Sequence, residues 1–500
     1  MPDSAAHRRA VLTTLLPGFV GTTLPEWLAS RLRAGLGGVC VFGSNIVSPQ
    51  QLRELTDAIY AANPQAMIAI DEEGGDVTRL HYADGSPLPG NALLGRIDDP
   101  DYTASVAARI GWDLRRTGFN LDFAPDADIN SNPDNPVIGT RSFGTAPGAV
   151  AAQVAAWTRG IQSTGVAACS KHFPGHGDTA QDSHVSLPVV DRSLDELRER
   201  EFVPFVAAIA AGTKTIMSSH ILLPQLDADR PATLSRMILQ DLLRDELGFG
   251  GVIVSDALDM AGASGDIGIP EAAVRALDAG CDLLCIGSET TAEDVDELER
   301  VILLAIEDGR LSAARVQDAA DRILALADDL ATDRGRAPIP VADSASDLMA
   351  DDVKRVVAAF DVQDSARSIL SHRNAALRLV RIETGTNVAV GLAPWGPNPE
   401  PAITGDHAGS PWQDATTVSP GSAVKLVPES DAVVIAVGRD IHRHDFARST
   451  VDALRAEHPA VVVVDMGWPS DDRKYADIAT FGASRLVGSA LTTYLAGQTA

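Results

Sequence analysis

Short apolar runs alternate with longer amphipathic segments through the first two thirds of the chain. Eight of these runs have the length of a buried strand: Val11–Leu16, Gly38–Phe42, Met67–Ile70, Phe119–Ala124, Val166–Ser170, Thr215–Ser219, Val252–Ser255 and Asp282–Ile286. The segments between them carry apolar residues at helical spacing: Leu24–Ala34, Pro49–Ala62, Tyr102–Thr117, Pro147–Thr164, Leu194–Ala211, Ser235–Leu247 and Ile269–Ala279. This alternation predicts a parallel (β/α)8 barrel of the TIM type.

A smaller α/β domain is predicted after the barrel. Helical character continues over Ala313–Leu330 and gives way to a polar, proline-containing linker at 331–340. A helix-like segment at 347–370 is followed by three strand-like runs: Asn387–Leu392, Ala432–Val437 and Ala460–Asp465. We therefore expect a barrel domain in residues 1–335 and an α/β sandwich domain in residues 346–500.

The composition excludes several classes of protein. A net charge of −27 at pH 7 argues against nucleic acid or an anionic membrane surface as a partner. The four cysteines lie inside apolar runs, which indicates buried free thiols and not a disulfide framework. The glycines form neither a dinucleotide fingerprint nor a P-loop, so no cofactor is predicted.

The N-terminus superficially resembles a signal peptide, because His7-Arg8-Arg9 precedes an apolar run. Pro17-Gly18 breaks that run and no A-x-A cleavage site follows, so we assign Val11–Leu16 to the first strand. No apolar run approaches the ~20 residues of a membrane span. We expect a cytoplasmic protein with no membrane partner.

Polar side chains follow the predicted strands at their carboxyl ends, where TIM barrels carry their active sites. They are Asp71 after strand three, Asp126 and Asp128 after strand four, Lys171 and His172 after strand five, His220 after strand six, Asp256 after strand seven, and Ser288 with Glu289 after strand eight. The pattern predicts a functional site at this end of the barrel.

The stretch from 171 to 184 contains three histidines and two aspartates, on a loop that its proline and glycines keep irregular. Three interpretations fit. A metal site would combine the histidines with Asp178 or Asp182. A structural loop would be held by its own side chains. In an acid/base site, Asp182 would orient His184 from two residues away. Spacing alone leaves the three open.

Two further stretches carry candidate functional acids. Asp71-Glu72-Glu73, before two glycines, is either a solvated turn or a ligand site in which a carboxylate accepts bonds from hydroxyls, with Arg79 as its partner or a donor to the ligand. Asp256 directly follows a buried run and is either a rigidly held nucleophile or a helix N-cap. The acids and amides at 126–132 suit calcium, but the glycine and final glutamate of an EF-hand are missing.

Seven motifs stand in the order that they have in one enzyme family: IDEEGGDVTR, NLDFAPDADIN, GTRSFG, KHFPGHG, DSH, SSHILLPQLD and SDALDM. The chain therefore resembles the family 3 glycoside hydrolases, in the β-N-acetylglucosaminidase branch that recycles cell-wall sugars. The resemblance covers residues 10–330 strongly, and residues 346–500 resemble the second domain of two-domain members only loosely. The chain departs from the pattern at Glu72, an extra acid, and at Ala257.

The resemblance implies roles for eight residues. Asp256 would be the nucleophile, and the Asp182–His184 dyad would supply the general acid/base. The terminal N-acetylglucosamine would be bound by Asp71, Arg141, Lys171 and His172, with Arg79 in support. Neither a metal nor a cofactor is implied.

The function implied is that of a retaining exo-β-N-acetylglucosaminidase, which releases terminal N-acetylglucosamine through a glycosyl-Asp256 intermediate. Cell-wall muropeptide fragments would be the natural substrates. The alternatives are a β-N-acetylglucosaminide phosphorylase with the same first step, a β-glucosidase whose acid comes from the second domain, and a sugar-binding protein without activity. The intact Asp256 and His184 speak against the last of these. The expected partner is a small carbohydrate, and no oligomeric state is predicted.

Overall fold

The computed structural model describes nine stretches of the chain: residues 2–181, 187–265, 267–340, 349–371, 377–385, 389–391, 393–397, 412–421 and 432–497. The chain forms two compact units, and neither is continuous in sequence. The first unit consists of Met1–Glu73, Asp99–Ser131 and Ser142–Ser344. The second consists of Gly74–Asp98, Asn132–Arg141 and Ala345–Ala500.

The division into units differs in one respect from the expected order of a barrel domain followed by a sandwich domain. The last change of unit, after residue 344, falls between the ranges 1–335 and 346–500. Two segments from inside the first range, 74–98 and 132–141, nevertheless belong to the second unit. The domain boundaries themselves stay a prediction.

Ten strands belong to the first unit: β1 (Leu15–Leu16), β2 (Gly38–Cys40), β3 (Met67–Ile70), β4 (Leu121–Asp122), β5 (Ala167–Phe173), β6 (Thr215–Ser218), β7 (Leu222–Leu223), β8 (Asp227–Pro231), β9 (Val252–Ser255) and β10 (Leu283–Cys285). β7 and β8 form an antiparallel pair. The other eight are parallel neighbours in the order β1-β10-β9-β6-β5-β4-β3-β2. The Cys40 amide donates to the Pro17 carbonyl at 3.0 Å and so closes the ring between β2 and β1. The predicted TIM-type barrel is confirmed.

Sixteen α-helices lie in the described part of the chain: α1 (Pro2–Thr13), α2 (Glu26–Ala34), α3 (Pro49–Ala62), α4 (Asn91–Ile97), α5 (Pro100–Thr117), α6 (Pro147–Gln162), α7 (Leu194–Glu199), α8 (Phe202–Ala210), α9 (Ala261–Ser264), α10 (Ile269–Ala279), α11 (Ala292–Glu307), α12 (Ala313–Arg336), α13 (Ala350–Ala359), α14 (Asp364–Leu370), α15 (Asp445–Glu457) and α16 (Arg485–Leu495). A π-helix spans Met237–Glu246. Local chemistry sets several ends. Ser48 and Asp99 cap the first turns of α3 and α5, and Gly118, with φ of 94°, ends α5.

Inward-facing residues of the strands fill the barrel, as the alternation of side chains along a strand requires. Leu121 and Phe123 are two of them, and Ile323 and Leu330 of α12 pack into the same apolar cluster. α12 therefore covers part of the barrel core. It continues beyond Leu330 to Arg336, where the Arg334 side chain donates to the Tyr60 hydroxyl at 2.9 Å and the Arg334 carbonyl accepts from Arg115. The linker predicted at 331–340 is wrong over its first six residues for this reason.

The N-terminal apolar run is helical over most of its length, not a strand from Val11 to Leu16. α1 continues to Thr13, whose hydroxyl donates to the Arg9 carbonyl at 2.9 Å, and β1 holds only Leu15 and Leu16. Val11 and Leu12 are buried all the same. A short apolar run does not by itself distinguish a buried helix end from a buried strand.

The second unit contains a six-stranded sheet: β11 (Asp361–Val362), β12 (Leu377–Ile382), β13 (Trp412–Val418), β14 (Val433–Gly438), β15 (Val461–Asp465) and β16 (Ile478–Ala479). The order is β11-β16-β15-β14-β12-β13, and only the β11–β16 pair is antiparallel. The predicted α/β domain with a partly parallel sheet is thereby confirmed. Ala92 and Leu93 of α4 belong to its apolar core, which accounts for the place of the 74–98 segment in this unit.

The prediction of one continuous helix at 347–370 is wrong, because the segment is interrupted by a short strand. α13 stops at Ala359, and β11 then pairs with β16 before α14 begins. A strand prediction at Asn387–Leu392 lies partly outside the described residues, and 389–391 form a turn. Among the helices of the described residues, none has the length and apolar character of a membrane span.

Asp282, at the start of β10, gives a test of barrel stability. Its fully buried carboxylate accepts bonds from Arg244 and Arg315 and from the Ile253 amide. Asp282→Ala would leave the largely buried guanidinium of Arg244 without its anion and would leave Arg315 with only Asp318, so we expect a loss of about 3–5 kcal/mol in the free energy of unfolding. Urea denaturation measures it. Asp241→Ala, an exposed change on the same helix as Arg244, is the control, and equal effects of the two substitutions would contradict the prediction.

Candidate active site

Lys171 and His172 lie within a strand and not on the loop after it. β5 continues to Phe173 because the Lys171 amide donates to the Pro125 carbonyl at 3.1 Å, and the Ser219 amide donates to the Phe173 carbonyl at 2.8 Å. The pairing of β5 with β6 is irregular between Ser170 and Phe173. The sequence places both residues correctly at the carboxyl end of strand five, but the irregular loop begins only at Pro174.

The Asp128 carboxylate holds this part of the chain. It accepts a bond from the His172 ring nitrogen Nδ1 at 2.7 Å, from the His172 amide at 3.3 Å and from the His176 amide at 2.6 Å. Burial alone would raise the pKa of Asp128, but the charge and hydrogen bond of His172 lower it below its ordinary value. Asp128 is therefore an ionised acceptor that fixes the His172 ring.

His176 is a buried, uncharged imidazole. Burial lowers its pKa to about 4, although the nearby Asp128 opposes that change. The Thr179 hydroxyl donates to the His176 carbonyl at 3.1 Å and lies 2.8 Å from Nδ1. Since a hydroxyl has one proton, the arrangement that satisfies both contacts has Nδ1–H donating to Thr179. His176 thus acts through hydrogen bonds and not through charge near neutral pH.

Lys171 forms a buried ion-paired centre with two acids of the third strand end. Its Nζ lies 2.7 Å from Asp71 Oδ1 and 2.7 Å from Glu73 Oε1. The side chains of Lys171 and Glu73 are each 2% exposed, whereas that of Asp71 is 22% exposed. Asp71 is therefore a fixed acceptor that a ligand can reach. Its position is set by Lys171, which two carboxylates hold in place.

Asp122 supports the same turn from the outer side of the barrel. Leu121 and Phe123 face the core, so Asp122 between them faces away from it, and its Oδ1 accepts the Glu72 amide at 2.9 Å. Burial raises the pKa of Asp122 well above its ordinary value, and the charges of Glu72 and Asp71 raise it further. Its other oxygen has no hydrogen-bond partner within the described chain. Burial of Asp122 under Glu72 therefore favours its neutral form.

Asp256 follows β9 directly and is partly exposed. Its Oδ1 accepts the Ala257 amide at 2.8 Å, and the Nε2–H of His220, from the end of β6, donates to the Ala257 carbonyl at 2.9 Å. The Thr233 hydroxyl lies 2.9 Å from the other ring nitrogen of His220. Backbone and side chain of the 256–257 step are therefore both fixed, as a nucleophile requires.

The structure brings some of the predicted site residues together. Lys171 contacts Asp71 directly, His172 follows it in β5, and Asp256 lies at the carboxyl end of β9 in the same barrel. Arg79 and Arg141 belong to the second unit. There Arg79 donates to the Ala389 carbonyl at 2.8 Å, and the Asn91 side chain donates to the Arg141 carbonyl at 2.7 Å. Asp182 and His184 lie outside the described residues.

Sequence reasoning missed three residues of the site. Glu73 looked like one more acid of a turn, Asp122 like part of an apolar strand, and Thr179 like loop. Their roles depend on Lys171, Glu72 and His176, which lie beside them only in the fold. For Asp122 a signal was available, since an acid in the middle of a barrel strand needs a partner.

One group of three buried side chains has the composition of a metal site. Oxygens of Asp126 and Asp128 and a ring nitrogen of His172 lie within 4.8 Å of one another. These atoms already bond to the protein, because Asp128 accepts from His172 and Asp126 Oδ1 accepts the Asp128 amide at 2.9 Å. Asp178, considered above as a ligand, pairs with Arg192 at 2.9 Å. The donor set fits hydrogen bonding better than a cation.

The charge state of Asp122 can be tested through stability. Because its pKa is raised in the folded protein, the folded state keeps a proton that the unfolded state loses near pH 4, so the wild type loses stability as pH rises from there. Asp122→Asn keeps the acceptor for Glu72 and does not titrate. As pH rises from about 4 towards the raised pKa of Asp122, the free energy of unfolding of Asp122→Asn should therefore increase relative to the wild type, by about 1.4 kcal/mol per pH unit.

Urea denaturation between pH 4 and 7 measures this difference. Asp101→Asn, an exposed change at the start of α5, should show no such trend. A constant difference between Asp122→Asn and the wild type across the pH range would mean that Asp122 is ionised in the folded protein.

Metal removal gives a separate test of the three-residue group. If Asp126, Asp128 and His172 act as a hydrogen-bonded set, incubation with EDTA followed by desalting should leave unchanged the activity that the family resemblance implies. Initial rates before and after treatment measure it. Inactivation that zinc or calcium reverses would move the assignment to a metal site.

Two curated relatives resemble the chain in sequence. It is 36% identical over 331 residues to β-hexosaminidase A of Pseudoalteromonas piscicida, an alignment that covers 61% of this chain and 55% of that protein. The chain thus spans little more than half the length of this relative. It is 41% identical over 283 residues to a β-hexosaminidase of Stenotrophomonas maltophilia, which covers 54% of this chain and 82% of the relative.

Solved structures resemble the chain as well. The glycoside hydrolase family 3 β-N-acetylglucosaminidase from Paenibacillus sp. superposes with a TM-score of 0.84 at 29% identity, over 99% of this chain and 97% of its own. NagZ from Neisseria gonorrhoeae, in complex with N-trifluoroacetyl-D-glucosamine, has a TM-score of 0.53 at 33% identity, over 65% of this chain and 97% of its own. Residues 22–326 match the glycosyl hydrolase family 3 N-terminal domain. This is more than half of the chain, which therefore belongs to glycosyl hydrolase family 3.

Proposed function

We propose that the protein is a retaining exo-β-N-acetylglucosaminidase that releases terminal N-acetylglucosamine from β-glycosides. The observation that carries the proposal is the Lys171–Asp71 pair beside His172, at the barrel end where Asp256 follows β9. Such a set supplies acceptors and donors for uncharged hydroxyls together with a carboxylate nucleophile. The names of the relatives, β-hexosaminidase and β-N-acetylglucosaminidase, agree with it.

The reaction would proceed by two displacements. In the first, an Asp256 oxygen forms a bond to the anomeric carbon, the bond from that carbon to the aglycone oxygen breaks, and His184 gives its proton to the leaving oxygen. In the second, neutral His184 takes a proton from water, the water oxygen attacks the anomeric carbon, and the Asp256 carboxylate is released. Asp182 would orient His184 throughout, as the family motif implies.

Sugar recognition would fall to the fixed polar groups. Asp71 would be the acceptor that the sugar reaches, and Lys171 holds it in place. Asp128 fixes the orientation of the His172 ring, for which the motif implies a contact with the sugar. Arg79 and Arg141 keep the sugar-binding role that their motifs imply.

We further propose a natural substrate and a location. Cell-wall muropeptide fragments as substrates rest on the resemblance to the recycling branch of the family. A cytoplasmic location agrees with the four cysteines, all of them buried and none in a disulfide. Fractionation of cells that express the protein tests the location, and assays on purified muropeptides test the substrate.

Asp256→Asn tests the nucleophile. Without a carboxylate the covalent step is lost, so kcat on 4-nitrophenyl N-acetyl-β-glucosaminide should fall by at least about a thousandfold. Asp259→Asn, three residues later on the exposed surface, is the matched control and should keep most of the activity. In the wild type, a 5-fluoro glycosyl reagent should label Asp256.

Product analysis separates this function from its alternatives. Free N-acetylglucosamine, with or without phosphate in the buffer, is the expected product. Dominant N-acetylglucosamine 1-phosphate would make the protein a phosphorylase, and a preference for β-glucosides would make it a β-glucosidase. Labelling of another carboxylate, or an active Asp256→Asn, would overturn the assignment of the nucleophile.

A further inference from the structure

Three stretches of chain build the second unit, and two of them carry predicted sugar-binding residues. Arg79 lies in the segment 74–98 and Arg141 ends the segment 132–141. The third stretch, from 345 onward, contributes the sheet. Both arginines are buried for most of their surface. Within this unit Arg79 donates to the Ala389 carbonyl at 2.8 Å, and Arg141 donates to the Val137 carbonyl at 3.4 Å.

One carboxylate joins all three stretches. Asp76, in the first segment, accepts the Ala483 amide on Oδ1 at 2.7 Å and the Thr140 hydroxyl on Oδ2 at 3.2 Å. Thr140 directly precedes Arg141, and Ala483 lies between β16 and α16. Each oxygen of Asp76 thus holds a different stretch of the chain.

Further contacts hold the 132–141 segment at both ends. Near its start, Arg443 donates to the Pro133 carbonyl at 2.6 Å. At its end, Asn91 of α4 donates to the Arg141 carbonyl at 2.7 Å. The backbone of Arg141 is therefore fixed through Asn91, and the residue before it is fixed through Asp76.

Both oxygens of Asp76 are used as hydrogen-bond acceptors. Burial raises the pKa of Asp76, while the Ala483 amide and the charge of Arg439 oppose that change. The guanidinium of Arg439 also stacks on the Trp395 ring at 4.5 Å. An asparagine can keep both contacts of Asp76, since its oxygen accepts from Ala483 and its amide donates to the Thr140 oxygen.

We propose that Asp76 is a positioning residue for sugar binding, which ties the Thr140–Arg141 step to the C-terminal part of the chain and so keeps Arg141 in its binding position. The proposal rests on the function proposed above, in which Arg141 binds the terminal sugar. In this proposal the C-terminal stretch supports sugar binding, although none of its side chains contacts the substrate.

The inhibition constant of N-acetylglucosamine, measured against 4-nitrophenyl N-acetyl-β-glucosaminide, is the primary readout. Asp76→Ala should raise this constant about tenfold while kcat stays within about threefold, because binding geometry and not chemistry is disturbed. Asp76→Asn should stay close to the wild type. Asp84→Ala removes an exposed carboxylate from the same segment and should change neither quantity.

Two further variants keep the proposal falsifiable if Asp76→Ala does not fold. Thr140→Val removes only the hydroxyl that reaches Asp76, and it should also raise the inhibition constant severalfold. In an Arg141→Ala background, where the arginine is already gone, Asp76→Ala or Thr140→Val should cause no further rise.

Each other outcome has one meaning. Unchanged inhibition constants in Asp76→Ala and Thr140→Val overturn the proposal, and so does a full further rise in the Arg141→Ala background. Loss of kcat and thermal stability at a constant inhibition constant would make Asp76 merely structural and would also overturn it. If Arg141→Ala itself leaves the inhibition constant unchanged, the sugar-binding role of Arg141 fails, which is a failure of the proposed function and not of the Asp76 contacts.

Discussion

The hydrogen bonds to the Asp128 carboxylate are the contacts on which the candidate site depends. A single side chain after β4 receives the His172 ring and the amides of His172 and His176. Because Asp128 is buried and ionised, these bonds are charge-assisted and strong. Loss of the carboxylate would free both the end of β5 and the loop after it. Lys171, which directly precedes His172, belongs to the same strand end. A single residue after the fourth strand thus positions the site residues at the end of the fifth.

The first unit limits the number of buried charges around this point. Lys171 is shared by Asp71 and Glu73, burial lowers the pKa of His176 to about 4, and burial raises the pKa of Asp122. An unpaired buried charge would cost several kcal/mol, so neutral forms are favoured where no partner is near. Under the proposed function, the partly exposed Asp71 would be the acceptor that the sugar reaches. A neutral ligand rich in hydroxyls is bound by such fixed acceptors and donors at little cost in reorganisation.

The second unit shows how a distant part of the chain can serve a barrel enzyme. Its sheet provides no motif of the family. The segment that carries Arg79 nevertheless shares its core through α4, and the segment that ends at Arg141 is hydrogen-bonded to Arg443 of the same unit. Asp76 is the point where these stretches meet. Substitutions near Ala483, more than three hundred positions from Arg141 in sequence, would therefore affect sugar binding.

The sequence by itself determined the barrel, its sheet-containing partner and the strand ends that carry Asp71, Lys171, His172 and Asp256, because these follow from local apolar periodicity and from long motifs. Only the tertiary structure decided which acids are charged and which stretches of chain share a unit. The raised pKa of Asp122 depends on burial beside Glu72, and the continuation of β5 depends on pairing with residues near Pro125 and Ser219. The place of residues 74–98 depends on a core to which the chain contributes again only after residue 345, and that of residues 132–141 depends on hydrogen bonds to Asp76, Asn91 and Arg443. Such contacts join residues far apart in sequence, and no local pattern records them.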